Sequence, residues 1–338
     1  MYLTGSNHST MRLFKYLNIS LSVYKEIKKQ QQYNKYFLVP YLQQLEDKYG
    51  GKFKDEQKKK ILDYYGLFIT SFLCSSYTRL HGRALTDAER KRATLFGILT
   101  PVGDDLFDED KLDMESIRSI TYTPHTYTAT TFSANVAKEI QTFLLADVPH
   151  KEAYLQAAKN VLDIQIDTAR QTDPAISRQE LEQITYTKGA VSVIIYHQCL
   201  DDLADEQMKE VLFLTGSLFQ LGNDIFDLYK DVRDNIYTLV NTCDDYLKFR
   251  EFFLERVRLQ NKKIMALPFP EKNKTAFCFV MNSINARSVV ALDQFVQRQK
   301  KIGEKINWWQ LQRKDMIVDM EKTRNILKWL YYAYKLPG

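Results

Sequence analysis

Apolar residues recur every three or four positions along most of this chain, which is the spacing of an amphipathic helix. The segments "GAVSVIIYHQCL" (Gly189–Leu200) and "VLFLTGSLFQLGNDIF" (Val211–Phe226) are apolar around much of a helical circumference, so other helices must surround them. Only 12 Gly and 8 Pro punctuate the sequence. Long periodic stretches with so few breakers predict an all-α fold. Helices are expected near 12–31, 35–48, 55–80, 86–107, 130–147, 151–171, 178–199, 205–232, 243–266, 272–300 and 308–334. "KYGGK" (Lys48–Lys52) should end one helix and "LPFPEK" (Leu267–Lys272) another, while Thr86 with Glu89 three residues later offers a capping box. The β-branched run "SITYTPHTYTATT" (Ser119–Thr131) is interrupted by Pro124 and reads as a loop.

No linker of low complexity and no internal repeat divides the chain. A single helical domain over residues 1–338 is therefore expected, with 1–34 as an N-terminal helical extension. At 338 residues and 45% hydrophobic content, the chain can bury a large core. Its N-terminus lacks the apolar run of a secretory signal, and no stretch reads as a membrane span, so a cytoplasmic protein without a transmembrane segment is expected. Peripheral membrane contact and a homodimer both remain compatible with the sequence. Cys74, Cys199, Cys243 and Cys278 are scattered without C-x-x-C spacing and read as small buried hydrophobes. The net charge of +5 is spread over clusters such as Lys54–Lys60 and Gln297–Lys305, with no reader motif beside them, so no nucleic-acid partner is expected. His81 and His197 have no second ligand one helical turn away and read as structural.

The candidate chemistry lies in two acidic stretches. In "GSLFQLGNDIFDLYKD" (Gly216–Asp231), Asn223, Asp227 and Asp231 fall at i, i+4 and i+8, on one face of a helix. Three oxygen ligands in a row suit a hard divalent cation, and acids among residues this apolar need a counter-charge. Upstream, "GDDLFDED" (Gly103–Asp110) places Asp104 and Asp108 one turn apart with Asp105 between them, and Pro101 and Gly103 before them should kink or end the helix. The plain alternative for the downstream stretch is a solvated acidic face neutralised by Lys230 and Arg233.

"GSLFQLGNDIFD" resembles the second aspartate-rich region of trans-prenyltransferases, G-x-x-F-Q-x-x-D-D-x-x-D, with Asn223 in place of the first Asp. The overlapping "NDIFDLYKD" is similar to the terpene-synthase motif N-D-x-x-S-x-x-x-E, with Asp227 and Asp231 at its Ser and Glu positions. "DDLFD" (Asp104–Asp108) looks like the D-D-x-x-D that both groups carry upstream, and 119 residues separate Asp104 from Asn223. The likeness is to the class I isoprenoid synthase superfamily.

That resemblance implies a helical bundle around a central apolar cavity. It implies three Mg²⁺ ions, Mn²⁺ being an alternative of the same class, held by Asp104, Asp105, Asp108, Asn223, Asp227 and Asp231. It also implies a prenyl diphosphate substrate. Arg178, Lys188, Lys230 and Arg233 are the candidate cations for the diphosphate, and Phe107, Phe219, Phe226 and Tyr229 the candidate pocket walls. The expected reaction is that of a class I terpene synthase, namely ionisation of the substrate followed by cyclisation or elimination. Chain elongation is disfavoured, because no arginine pair follows Asp108 and "GGKF" (Gly50–Phe53) is only a partial echo of the family's N-terminal motif. A head-to-head prenyltransferase and a non-catalytic helical partner or lipid-binding protein remain as alternatives. The C-terminal Arg-Tyr pair of terpene synthases is missing, Arg313 being a poor substitute.

Overall fold

A computed structural model describes the backbone of residues 4–336 and the side chains of residues 14–336. Among the described residues there is no strand, so the all-α expectation holds. The helices are α1 (Thr4–Tyr33), α2 (Val39–Tyr49), α3 (Asp55–Lys59), α4 (Ser75–Leu80), α5 (Asp87–Asp108), α6 (Met114–Tyr122), α7 (Phe132–Asp147) and α8 (Lys151–Thr168). They continue as α9 (Arg178–His197), α10 (Glu206–Phe226), α11 (Leu228–Arg233), α12 (Tyr246–Ala266), α13 (Glu271–Ile302), α14 (Arg313–Met316) and α15 (Thr323–Lys335).

The punctuation acts as its chemistry requires. Gly50 ends α2 in the left-handed region at φ 65°, where a side chain is penalised. Thr86 accepts from the Glu89 amide at 3.2 Å and the Glu89 carboxylate accepts from the Thr86 amide at 2.8 Å, completing the capping box that opens α5. The expected helix over 55–80 is continuous but π-wound across Lys60–Cys74. Two expectations fail. The reading of 119–131 as a loop missed α6, which runs to Tyr122 before Pro124 forces a single 3₁₀ turn. The expected helix over 308–334 is broken into a 3₁₀ turn at Trp308–Gln310, α14 and α15, because Trp308 is buried and donates to the Tyr246 hydroxyl while Gln312 and Asp315 start a new cap. α5 runs through Pro101, where a kink or an end was expected, and continues to Asp108.

The chain forms two compact units: Met1–Ala158 with Ile195–Leu203, and Lys159–Ile194 with Ala204–Gly338. Two of the crossings between them fall inside α8 and α9, so no linker marks them in the sequence. In the first unit α5 packs against α7 and the π-wound segment, burying Leu95, Ile98, Val102, Ile140 and Leu144. Residues 195–203 are tied to it through buried charge. Arg92 donates to the Cys199 carbonyl at 2.8 Å and pairs with Asp201, and Glu89, wholly buried, accepts from Arg83 and from the Asp201 amide at 2.8 Å. Against the effect of its burial, Arg83 and these amides hold the Glu89 carboxyl down at about 2.

In the second unit α13 packs against α10, α12 and α15 around a core of Leu221, Ile225, Phe253, Val289, Leu292 and Phe295. An 18-residue window of α13 is apolar enough to cross a membrane, but 67% of it is buried, as expected of a core helix. All four cysteines are buried and unpaired.

Candidate functional site

The site is built where α9 meets α10. A Cβ placed on Gly189 would lie 2.0 Å from the Gly216 carbonyl oxygen, and one on Gly216 would lie 2.2 Å from the Gly189 oxygen. The two helices therefore touch backbone to backbone, which only paired glycines permit. Lys188, beside that crossing, is brought close enough for its charge to act on Asp224 and Asp231 two and four turns along α10 and α11. The sequence contained both glycines, yet nothing in their spacing showed that they face each other.

The acids run across the joint between α10 and α11. α10 ends at Phe226, Asp227 adopts φ −87° and ψ 4°, and α11 starts at Leu228. Backbone hydrogen bonds from Asp227 to Asn223 (2.8 Å) and from Asp231 to Asp227 (2.9 Å) keep the i, i+4, i+8 relation through this irregularity. The Asn223 amide donates to the Asp227 carboxylate at 3.3 Å. Gln220 donates to Asp224 Oδ1 at 2.7 Å, while Asp224 Oδ2, out of contact with water, has no hydrogen-bond partner. Burial pushes the Asp224 carboxyl up to about 6, with the Asp227 charge adding to it and Gln220, Lys188 and Thr185 opposing. Burial and the charges of Asp224 and Asp227 push Asp231 to about 8, despite Lys230 and Lys188. Here is a carboxylate cluster with too little positive charge around it.

The predicted cations separate. Lys188 and Lys230 act on the acids electrostatically. Arg233 instead pairs with its neighbour Asp234 at 2.7 and 2.9 Å, and Arg178, exposed on the first turn of α9, pairs with Glu182 at 3.3 Å. Phe226 and Tyr229 pack against the second unit's core, and each has a guanidinium over its ring: Arg287 at 5.1 Å from Phe226 and Arg313 at 5.5 Å from Tyr229. Arg287 was not foreseen, since its place beside Phe226 depends on packing between α10 and α13. Phe219 is half-buried on α10, as is Phe107 on α5.

The upstream motif has a different setting. Asp104, Asp105 and Asp108 occupy the last turn of α5, with Asp104 and Asp108 exposed. Gln57 donates to Asp105 at 2.9 Å, and burial raises the Asp105 carboxyl. Lys54 pairs with Glu109 at 2.6 Å, and Thr131 donates to Asp110.

Oxygen donors and the orphaned Asp224 oxygen fit a hard cation in chemistry. As the side chains stand, no group of three or more His, Cys, Asp or Glu among the described residues converges to hold one. Two surface hollows lie away from the expected apolar cavity. One of about 580 Å³ is bounded by Pro40, Gln43, Gln44, Asp47 and Lys48, and one of about 320 Å³ by residues that include Tyr33, Tyr36, Phe37 and Arg90. Neither is lined by a motif residue. Comparison with protein-family models and with curated proteins yields no match.

Proposed function

We propose that the chain is a Mg²⁺-dependent class I terpene synthase, acting on a linear prenyl diphosphate through the acids of α10 and α11. The observation that carries this reading is the run Asp224, Asp227 and Asp231 across the joint of α10 and α11, where Asp224 and Asp231 are buried beside one another's charge and the burial raises both carboxyls. A purely structural acidic face would be solvated or paired, and its acids would stay in the ordinary carboxylate range. Perturbed acids of this kind gather at functional sites.

Asn223, Asp227 and Asp231 are the residues that would hold the ion. When bound, Mg²⁺ supplies positive charge to a departing diphosphate. The protein's own contribution is fixed charge and orientation. Lys188 and Lys230 favour an anionic group beside the acids, and the Gln220 hydrogen bond fixes the rotamer of Asp224. The Gly189–Gly216 crossing holds Lys188 in place relative to the acids.

A second reading, chain-elongating or head-to-head prenyl transfer, is favoured by the Gln220–Asp224 pair, since both residues belong to the prenyltransferase-like half of the motif. Incubation with Mg²⁺ and geranyl, farnesyl or geranylgeranyl diphosphate, with and without isopentenyl diphosphate, decides between them. Release of diphosphate with a hydrocarbon product from one substrate alone supports the synthase. Product only on adding isopentenyl diphosphate supports elongation. Inertness towards every substrate overturns both and leaves a binding or scaffold protein.

A further inference from the structure

Helix α15 packs one face on the second unit and exposes much of the other. On the inner face Asn325 and Ala333 are buried against the second unit, the Trp329 indole donates to the Ser283 carbonyl at 2.6 Å, and the Tyr332 hydroxyl donates to Asp293 at 2.7 Å. The outer face presents Ile326, Leu327, Leu330 and Tyr331 at 39, 62, 52 and 57% exposure. At about 100° per residue these four make a stripe roughly 140° wide. Arg324, Lys328 and Lys335 fall together along one edge of that stripe, with Lys335 lying 5.9 Å from the Tyr331 ring. From Lys322 to Gly338 the sequence has four cations, four aromatic residues of the Trp and Tyr type, and no acid.

We propose that the outer face of α15 seats on the surface of an anionic bilayer. A short helix with an exposed apolar stripe, a cationic border and a Tyr at its margin has the composition of an interfacial helix lying in the plane of the headgroups. The leucines enter the acyl boundary, the tyrosine ring lies at headgroup level, and the cations face lipid phosphates. Lys328 is partly neutralised by Asp293 at 3.7 Å, so Arg324 and Lys335, both exposed, carry most of the attraction. A protein partner fits less well, because protein interfaces are depleted of lysine and their centres of charge. The binding does not depend on the reaction proposed above.

The test is flotation of the full chain with large unilamellar vesicles of phosphatidylcholine, alone or with phosphatidylglycerol. The chain is expected to float with the anionic vesicles and to stay behind with the neutral ones. Replacing Leu327 and Leu330 by Glu should lower the partition by more than about tenfold. The pair Arg324→Gln and Lys335→Gln should lower it by about 30-fold, each cation near such a surface being worth about fivefold. Because this second pair changes only exposed charge, it reads the surface even if the leucine variant proves unstable. Failure to float with anionic vesicles would overturn the proposal, as would flotation indifferent to both lipid charge and the cation pair. A dimer in vesicle-free solution that Leu330→Glu dissociates would assign the face to a second copy instead.

Discussion

The two acidic motifs share a spacing and almost nothing else. Asp104 and Asp108 are exposed at the end of α5, and Asp105 accepts a hydrogen bond from Gln57. Asp224 and Asp231 are buried at the joint of α10 and α11, with one carboxylate oxygen of Asp224 unsatisfied and both acids titrating far above their ordinary values. Solvated acids need no counter-ion, whereas buried, mutually repelling ones must either keep their protons or acquire a cation. The downstream motif is therefore the stronger candidate for chemistry, on physical grounds that neither spacing nor composition contains.

Substitution of the acids should break this comparison most sharply. Asp227→Ala is expected to reduce Mg²⁺-dependent diphosphate release by about 10³-fold, on the scale of losing a charged group from a preorganised site, while the melting temperature without metal changes by only a few degrees. Saturating Mg²⁺ should raise the melting temperature of the parent chain, as any ligand selective for the folded state does, and Asp227→Ala should remove that rise. Asp104→Ala serves as the contrast. If it leaves the Mg²⁺ shift intact while turnover falls, the upstream acids serve the substrate rather than the apo protein's metal affinity. An unchanged turnover would assign them to the solvated surface.

The two motif-associated glycines should differ next. Gly216→Ala drives a methyl into the Gly189 backbone and should destabilise the protein by about 3 kcal/mol or more. Both denaturant midpoint and activity should fall with it. Gly103 has open space where its Cβ would be, so Gly103→Ala should be neutral or stabilise by up to about 1 kcal/mol. Equal effects at the two positions would mean that α9 and α10 do not touch as described.

Acidity should also set the units apart. The Asp231 carboxyl is raised in the folded chain, so between its unfolded value of 3.8 and about 8 the native state holds the extra proton and stability falls as pH rises. In the first unit, burial holds the His197 imidazole down at about 4, with both ring nitrogens unpartnered. There the unfolded chain holds the extra proton between about 4 and 6.5, so this contribution is lost as pH falls. Each group contributes a slope of at most about 1.4 kcal/mol per pH unit, with opposite signs. Between pH 4 and 8, Asp231→Asn should flatten the melting curve at the alkaline side, where only the Asp231 slope acts, while His197→Phe should steepen the fall of stability with rising pH at the acid side, where the two slopes oppose each other.

Much of the helical frame was legible because periodicity, caps and breakers are local. Glu89 closing back on Thr86 and Gly50 turning left-handed are decided within a few residues. The break of 308–334 was not legible, since it depends on Trp308 finding the Tyr246 hydroxyl from 62 residues away. At the site, the acids could be picked out from residue type and spacing, and Lys188 from what the family resemblance implies. That Arg233 turns to Asp234 while Arg287 covers Phe226 could not, because competition among nearby partners is settled only by packing.

The contact between Gly189 and Gly216 leaves no slack at the crossing of α9 and α10. Side chains elsewhere in the second unit can be exchanged for others of like volume, shifting the melting point, without letting these two helices come any nearer to each other. Segments 178–194 and 206–233 thus behave as a ruled pair, the natural fragment to transplant when the acid cluster is wanted in another helical scaffold.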